Sequence, residues 1–152
     1  MASQHAEVAI RKHISKKSDE YYGDTADFGR LAWENFGEKN RTQIRNLENI
    51  ANSSTAMADV LDFIKKQTGK SDKWRRQDFG RKLLERIREP LLGDANAIIQ
   101  LVKESVNTHG IETDDLRRTH ILLCREFIRH LSAHYSYTIG MSSRKSRGKH
   151  NG

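Results

Sequence analysis

His130 and His134 stand four residues apart, a spacing that puts both imidazoles on one face of a helix and forms the edge of a metal site. No third ligand follows nearby in the sequence, so structural or solvent-facing histidines are the favoured reading. Other familiar chemistry is missing. No Gly-rich loop has nucleotide-binding spacing, and Cys124 is the single cysteine, which leaves neither a zinc-binding pair nor an internal disulfide. The Asp and Glu residues are spread along helix faces, mostly near Lys or Arg, as solvated ion pairs rather than as a general acid and base. Neither a cofactor nor a metal is expected.

Positive charge, by contrast, is abundant. The chain carries 27 Lys and Arg against 20 Asp and Glu, a net charge of +7, with a pI near 9.7. Such an excess attracts polyanions, and nucleic acid is the usual one in the cytoplasm. Arg75, Arg76, Arg81, Lys82, Arg86 and Arg88 crowd one predicted helix, against Asp78, Glu85 and Glu89. Lys65, Lys66, Lys70 and Lys73 fill the turn before it, and Arg118, Arg125 and Arg129 share a face of the last helix. For any single Lys a solvated face is the better reading. A track of many cations is what binding to a phosphate backbone requires. Aromatic residues do not interleave with these charges, and Trp74 and Phe79 read as core. The recognition implied is therefore of backbone shape and charge, without base reading. In "NRTQIRNLENIAN" (residues 40–52), Ile44 and Leu47 point inward while Arg41 and Arg45, four apart, face outward beside Thr42 and Gln43.

These residues need a scaffold, and composition specifies an all-α one. A chain of 152 residues makes one domain that can bury about 70% of its unfolded surface. Helix formers dominate, Pro90 is the only proline, and β-branched runs are nearly absent. The expected fold is a small bundle of four to five helices spanning residues 40–140. Residues 1–39 read as an N-terminal extension: a weak helix or mobile arm bearing Val8, Ile10 and Ile14, an acidic loop "SDEYYGDTADFG", and a short helix ended at Gly37. Apolar spacing predicts one helix from about 41 to 68, bent at "NSST". A second runs from Ser71 or Asp72 to Pro90, and a third from Asp94 to Gly110 with Ile98, Ile99, Val102 and Val106 inward. The last runs from Thr113 to about Ile139. The basic tail 141–152 reads as disordered. No apolar run approaches the ~20 residues of a membrane span, and the N-terminus has too short an apolar centre for a secretory signal, so a cytoplasmic location is expected.

Two resemblances attach function to these segments. "RHLSAH", with Arg129 and His134, resembles the R-x4-6-H motif of HEPN-type ribonucleases. That resemblance implies an arginine stabilising phosphate charge and a histidine handling the 2′-hydroxyl proton or the leaving group. It covers about ten residues and stands as the alternative reading. "RTQIRNL" resembles the T-x-Q-[IL]-R segment of the small subunit of type III-A CRISPR effector complexes, the Csm small subunit. "LCREFIRHLSAHYSYTIG" is similar to that family's last helix, and "RRQDFGRKLL" is compatible with its basic middle helix. The resemblance implies a non-catalytic all-α subunit that stacks with copies of itself and other subunits along guide RNA paired with target RNA. Thr42, Gln43 and Arg45 match its opening motif, with Arg45 the foremost RNA contact, and Gly80 and Arg81 its middle helix. The full set of expected RNA-binding residues is Arg41, Thr42, Gln43, Arg45, Arg75, Arg76, Arg81, Lys82 and Arg125. A third class, a helical adaptor whose basic face meets an acidic protein, would show no RNA binding at any salt.

Overall fold

The computed structural model describes residues 4–105, 111 and 113–150, with side chains placed as far as Ser142. Among these residues the protein is all-helical, a small bundle. Its elements are α1 (Gln4–Phe36), α2 (Thr42–Ser53), α3 (Met57–Lys70), a single turn α4 (Asp72–Arg75), α5 (Phe79–Arg88), α6 (Pro90–Ser105) and α7 (Thr113–His150). The expected stop at Gly110 and the inward Val106 lie outside the described residues. No helix among them is long and apolar enough to cross a membrane.

The largest difference from the sequence reading is at the N-terminus. Residues read as an arm, a loop and a short helix form one 33-residue helix, α1, packed lengthwise on α7. Its buried stripe is Ala6, Ile10, Ile14, Ser18, Tyr21, Thr25, Gly29, Ala32 and Phe36, at steps of three and four. Ser18, Thr25 and Gly29 interrupt the apolar pattern, which is why the stripe is hard to see in sequence. Each has a packing reason. Ser18 Oγ shares a 2.8 Å hydrogen bond with His130 Nε2, and the Thr25 hydroxyl donates to the Tyr21 carbonyl at 2.7 Å. A Cβ on Gly29 would sit 2.5 Å from His134 Cβ and 3.1 Å from the Tyr135 backbone nitrogen, so glycine lets the two helices approach. Glu7 with Arg118, Ser18 with His130, and Tyr22 with His134 advance together, so α1 and α7 run parallel. Val8, grouped with Ile10 and Ile14 in the sequence, is 62% exposed while those two are buried.

The expected helix from 41 to 68 is two helices, with Ser54 and Ala56 extended between them. Ala58, which continues the apolar spacing of the expected helix, is exposed. The expected helix from 72 to 90 is also broken. Gln77 and Asp78 adopt left-handed φ of 55° and 57°, uncommon for non-glycine residues. The break is held from α1: Asn35 Nδ2 donates to the Arg76 carbonyl at 2.7 Å, and Gln77 Nε2 donates to Glu34 at 2.8 Å. Pro90 opens α6 rather than closing a gap before Asp94, because a proline at the first helical position loses no intrahelical bond. The start of α7 at Thr113 agrees with the carboxylates that follow it, and α7 passes the expected end at Ile139.

The core centres on Trp74, fully buried, with ring centroids of Phe36, Phe63 and Phe79 at 5.5, 6.0 and 5.4 Å. Phe28 links Phe79 to Phe127. Cys124 is fully buried on α7, and burial pushes its thiol from an ordinary 9.0 to about 12. Near neutral pH its thiolate population is therefore about a thousandfold lower than for a free thiol, since each step of one in pKa is tenfold. Native protein should resist iodoacetamide until unfolded. Rapid alkylation without denaturant would show that this part of the core opens.

Candidate nucleic-acid interface

The cations divide into those the fold uses and those it leaves free. Arg125 belongs to the first group. From α7 its Nε donates to the Ala51 carbonyl and its Nη2 to the Ser54 carbonyl, both at 2.9 Å. These carbonyls end α2, where helix geometry leaves acceptors unpaired and favours positive charge. Its placement among RNA contacts is corrected: it is a cap joining α7 to the α2–α3 break. Arg118 is likewise bound to Glu7 of α1, which holds the Glu7 carboxyl below its ordinary range.

Arg75 spans both roles. It is exposed, but its Nη1 donates to the carbonyls of Thr68 and Gly69 at 3.1 and 2.9 Å, and Nη2 binds Asp72. It closes the end of α3. Arg81 is exposed between Asp78 at 2.9 Å and Glu85 at 3.0 Å, so its charge is locally balanced. Arg41 lies 3.8 Å from Glu38. Gln43 is half-buried, its Oε1 accepting from Trp74 Nε1 at 3.0 Å, which gives this residue a place in the core instead of at the surface. Gly80 also serves packing. A Cβ there would collide with the Thr68 side chain, whose hydroxyl donates to the Ile64 carbonyl at 2.7 Å.

Thr42, Arg45, Arg76 and Lys82 remain as expected, exposed and with no hydrogen bond or ion pair from their side chains among the described residues. The expected contacts included Arg75 and Arg76 of the densest basic group but not its four lysines. Residues 65–76 hold Lys65, Lys66, Lys70, Lys73, Arg75 and Arg76 against Asp72 alone. Lys65, Lys66 and Lys70 lie on the exposed side of α3, opposite Val60 and Ile64. The α4 turn then carries Lys73 and Arg76 around the corner, anchored beneath by Trp74. Of these six, five form no ion pair among the described residues. The density was visible in sequence. That it forms an outward corner depends on extended Ser71 between α3 and α4.

The residues of the ribonuclease motif make other contacts. Arg129 Nε donates to Glu126 at 2.8 Å. His134 Nε2 donates to the Tyr22 carbonyl at 2.7 Å, with the Tyr22 ring 4.7 Å away. Five residues apart on a helix, their side chains diverge by roughly 140°. His130 is turned to Ser18, and burial and the nearby Arg129 lower its pKa. Among the described residues no group of three or more His, Cys, Asp or Glu could hold a metal.

Comparison with protein-family models, with curated proteins and with solved structures finds no match for this chain.

Proposed function

We propose that this protein is a non-catalytic RNA-binding subunit whose basic α3–α4 corner contacts phosphate backbone. In this reading it is a small subunit of a type III CRISPR ribonucleoprotein effector complex, acting in antiviral defence. The observation that carries the binding mode is the corner itself, with one acid and five cations that form no ion pair among the described residues, within twelve residues. Ion-paired arginines gain little from phosphate, because an existing partner must be displaced. Free lysines lose only counterions. The corner offers lysines and arginines with its aromatic residue, Trp74, buried beneath them, so it suits RNA whose sequence is read by pairing with another strand. The assignment to the effector complex rests on the "RTQIRNL", "RRQDFGRKLL" and "LCREFIRHLSAHYSYTIG" segments, and its partners are guide RNA, target RNA, other subunits and further copies of the chain. Within the motif, Arg45 keeps the contact role and Gln43 supports Trp74.

Purification of the tagged full-length chain from its own cells tests this assignment. It should bring down CRISPR-derived RNAs of defined length together with other effector subunits. Recovery with a nucleotidyltransferase antitoxin instead, and RNA cleavage lost in Arg129→Ala and His134→Ala, would establish the ribonuclease reading.

A further inference from the structure

Two helix stripes face one another across a groove of about 210 Å³. From α2 come Arg41, Ile44, Arg45 and Glu48, and from α7 come Ser132, Tyr135, Ser136 and Ile139, each at positions i, i+3, i+4 and i+7. Ile44, Tyr135 and Ile139 are buried and form its floor. The walls are polar. Glu48, one turn beyond Arg45, sits on the flank of the groove toward the α2 C-terminus.

Arg41 lies 3.8 Å from Glu38 and the Tyr135 hydroxyl donates to the Gly37 carbonyl, but the other polar groups of this groove are not used by the fold. On the same helix, the Thr119 and Thr138 hydroxyls donate to carbonyls four residues back, at 2.7 and 2.9 Å. Ser132 and Ser136 make no such bond, and among the described residues neither has a hydrogen-bond partner. Arg45 has none either, and Glu48 accepts none. Two hydroxyls, one guanidinium and one carboxylate, none with a hydrogen bond or close ion pair among the described residues, therefore line a space of the size of one sugar-phosphate unit. The carboxylate is the informative member. A seat for phosphate alone is weakened by a negative charge, whereas a ribose brings a 2′-hydroxyl donor that needs an acceptor.

We propose that this groove seats one ribose-phosphate of RNA, with phosphate oxygens on Arg45, Ser132 and Ser136 and the 2′-hydroxyl donating to Glu48. The groove is then the element that separates RNA from DNA, a task the lysine corner cannot perform because both polymers carry the same phosphates. This inference rests on the proposed RNA binding and adds selectivity to it.

The test uses single-stranded RNA and DNA of one sequence, titrated against the full chain and its variants. Wild-type protein should bind RNA about tenfold more tightly than DNA, the size of one hydrogen bond to a charged group. Glu48→Ala should bring that ratio close to one without weakening DNA binding, since it also removes a repulsive charge. The double variant Ser132→Ala/Ser136→Ala should weaken both polymers alike and keep the ratio. Equal wild-type affinities for RNA and DNA, or an unchanged ratio in Glu48→Ala, would overturn the ribose seat while leaving backbone binding intact. Failure of the wild type to bind either polymer would overturn both.

Discussion

Trp74→Ala should destabilise the protein by about 3–5 kcal/mol, the range for truncating a fully buried tryptophan. The indole is completely buried among Phe36, Phe63 and Phe79, and all three ring contacts are lost together. Truncation also strands the Gln43 amide, whose Oε1 accepts the indole N–H at 3.0 Å. Losing that part-buried hydrogen bond adds to the cost of the cavity. Because domains of this size are stable by about 5–15 kcal/mol, such a loss consumes a large part of the total. The consequence reaches the surface, because α4 is a single turn with Trp74 as its one buried residue. Lys73 and Arg76 should lose their fixed positions before the whole bundle melts. Chemical denaturation followed by circular dichroism checks this, and a loss below about 1 kcal/mol would mean the aromatic cluster is not the centre of the core.

Replacing Lys65, Lys66, Lys70, Lys73 and Arg76 together by glutamine should have the largest effect on binding. Each phosphate contact with a single strand contributes about 0.7 to the slope of log affinity against log salt. Five lost contacts therefore lower the slope by about 3 to 4. Stability should change little, since none of the five forms an ion pair among the described residues and surface changes usually fall within about 0.5 kcal/mol each. Arg125→Ala is the complementary control. It removes two bonds to the α2 C-terminus, so it should lower stability and leave the salt slope unchanged. A full set of glutamines that binds RNA like the wild type would remove the corner from the interface.

The contrast between these variants shows what sequence could and could not reveal. Ile44 and Leu47 were legible as core because helical periodicity is a local property, and the structure buries both. The α7 start was legible because Thr113 with Asp114 and Asp115 carries its own electrostatic signature. The division of arginines into structural and free was not legible. Arg125 and Arg45 have similar local surroundings, and they differ through partners on other helices: the Ala51 and Ser54 carbonyls for one, an open groove for the other. The break at Gln77 and Asp78 was hidden for the same reason, since the side chains that hold it, Glu34 and Asn35, lie about 40 residues earlier. In α1, buried Ser18 and Thr25 fall in the segment that reads as an acidic loop, because sequence does not show that His130 and the Tyr21 carbonyl satisfy them.

The central claim, recognition of RNA backbone by unpaired cations, is tested most directly by one titration of the wild-type protein. Fluorescent RNAs of several unrelated sequences would be bound across a range of salt concentrations. The account predicts similar affinities for all of them and a straight fall of log affinity with log salt, with a slope of about −3 or steeper for five or more contacts. Binding that ignores salt, a strong preference for one sequence, or no binding even at low salt would contradict it.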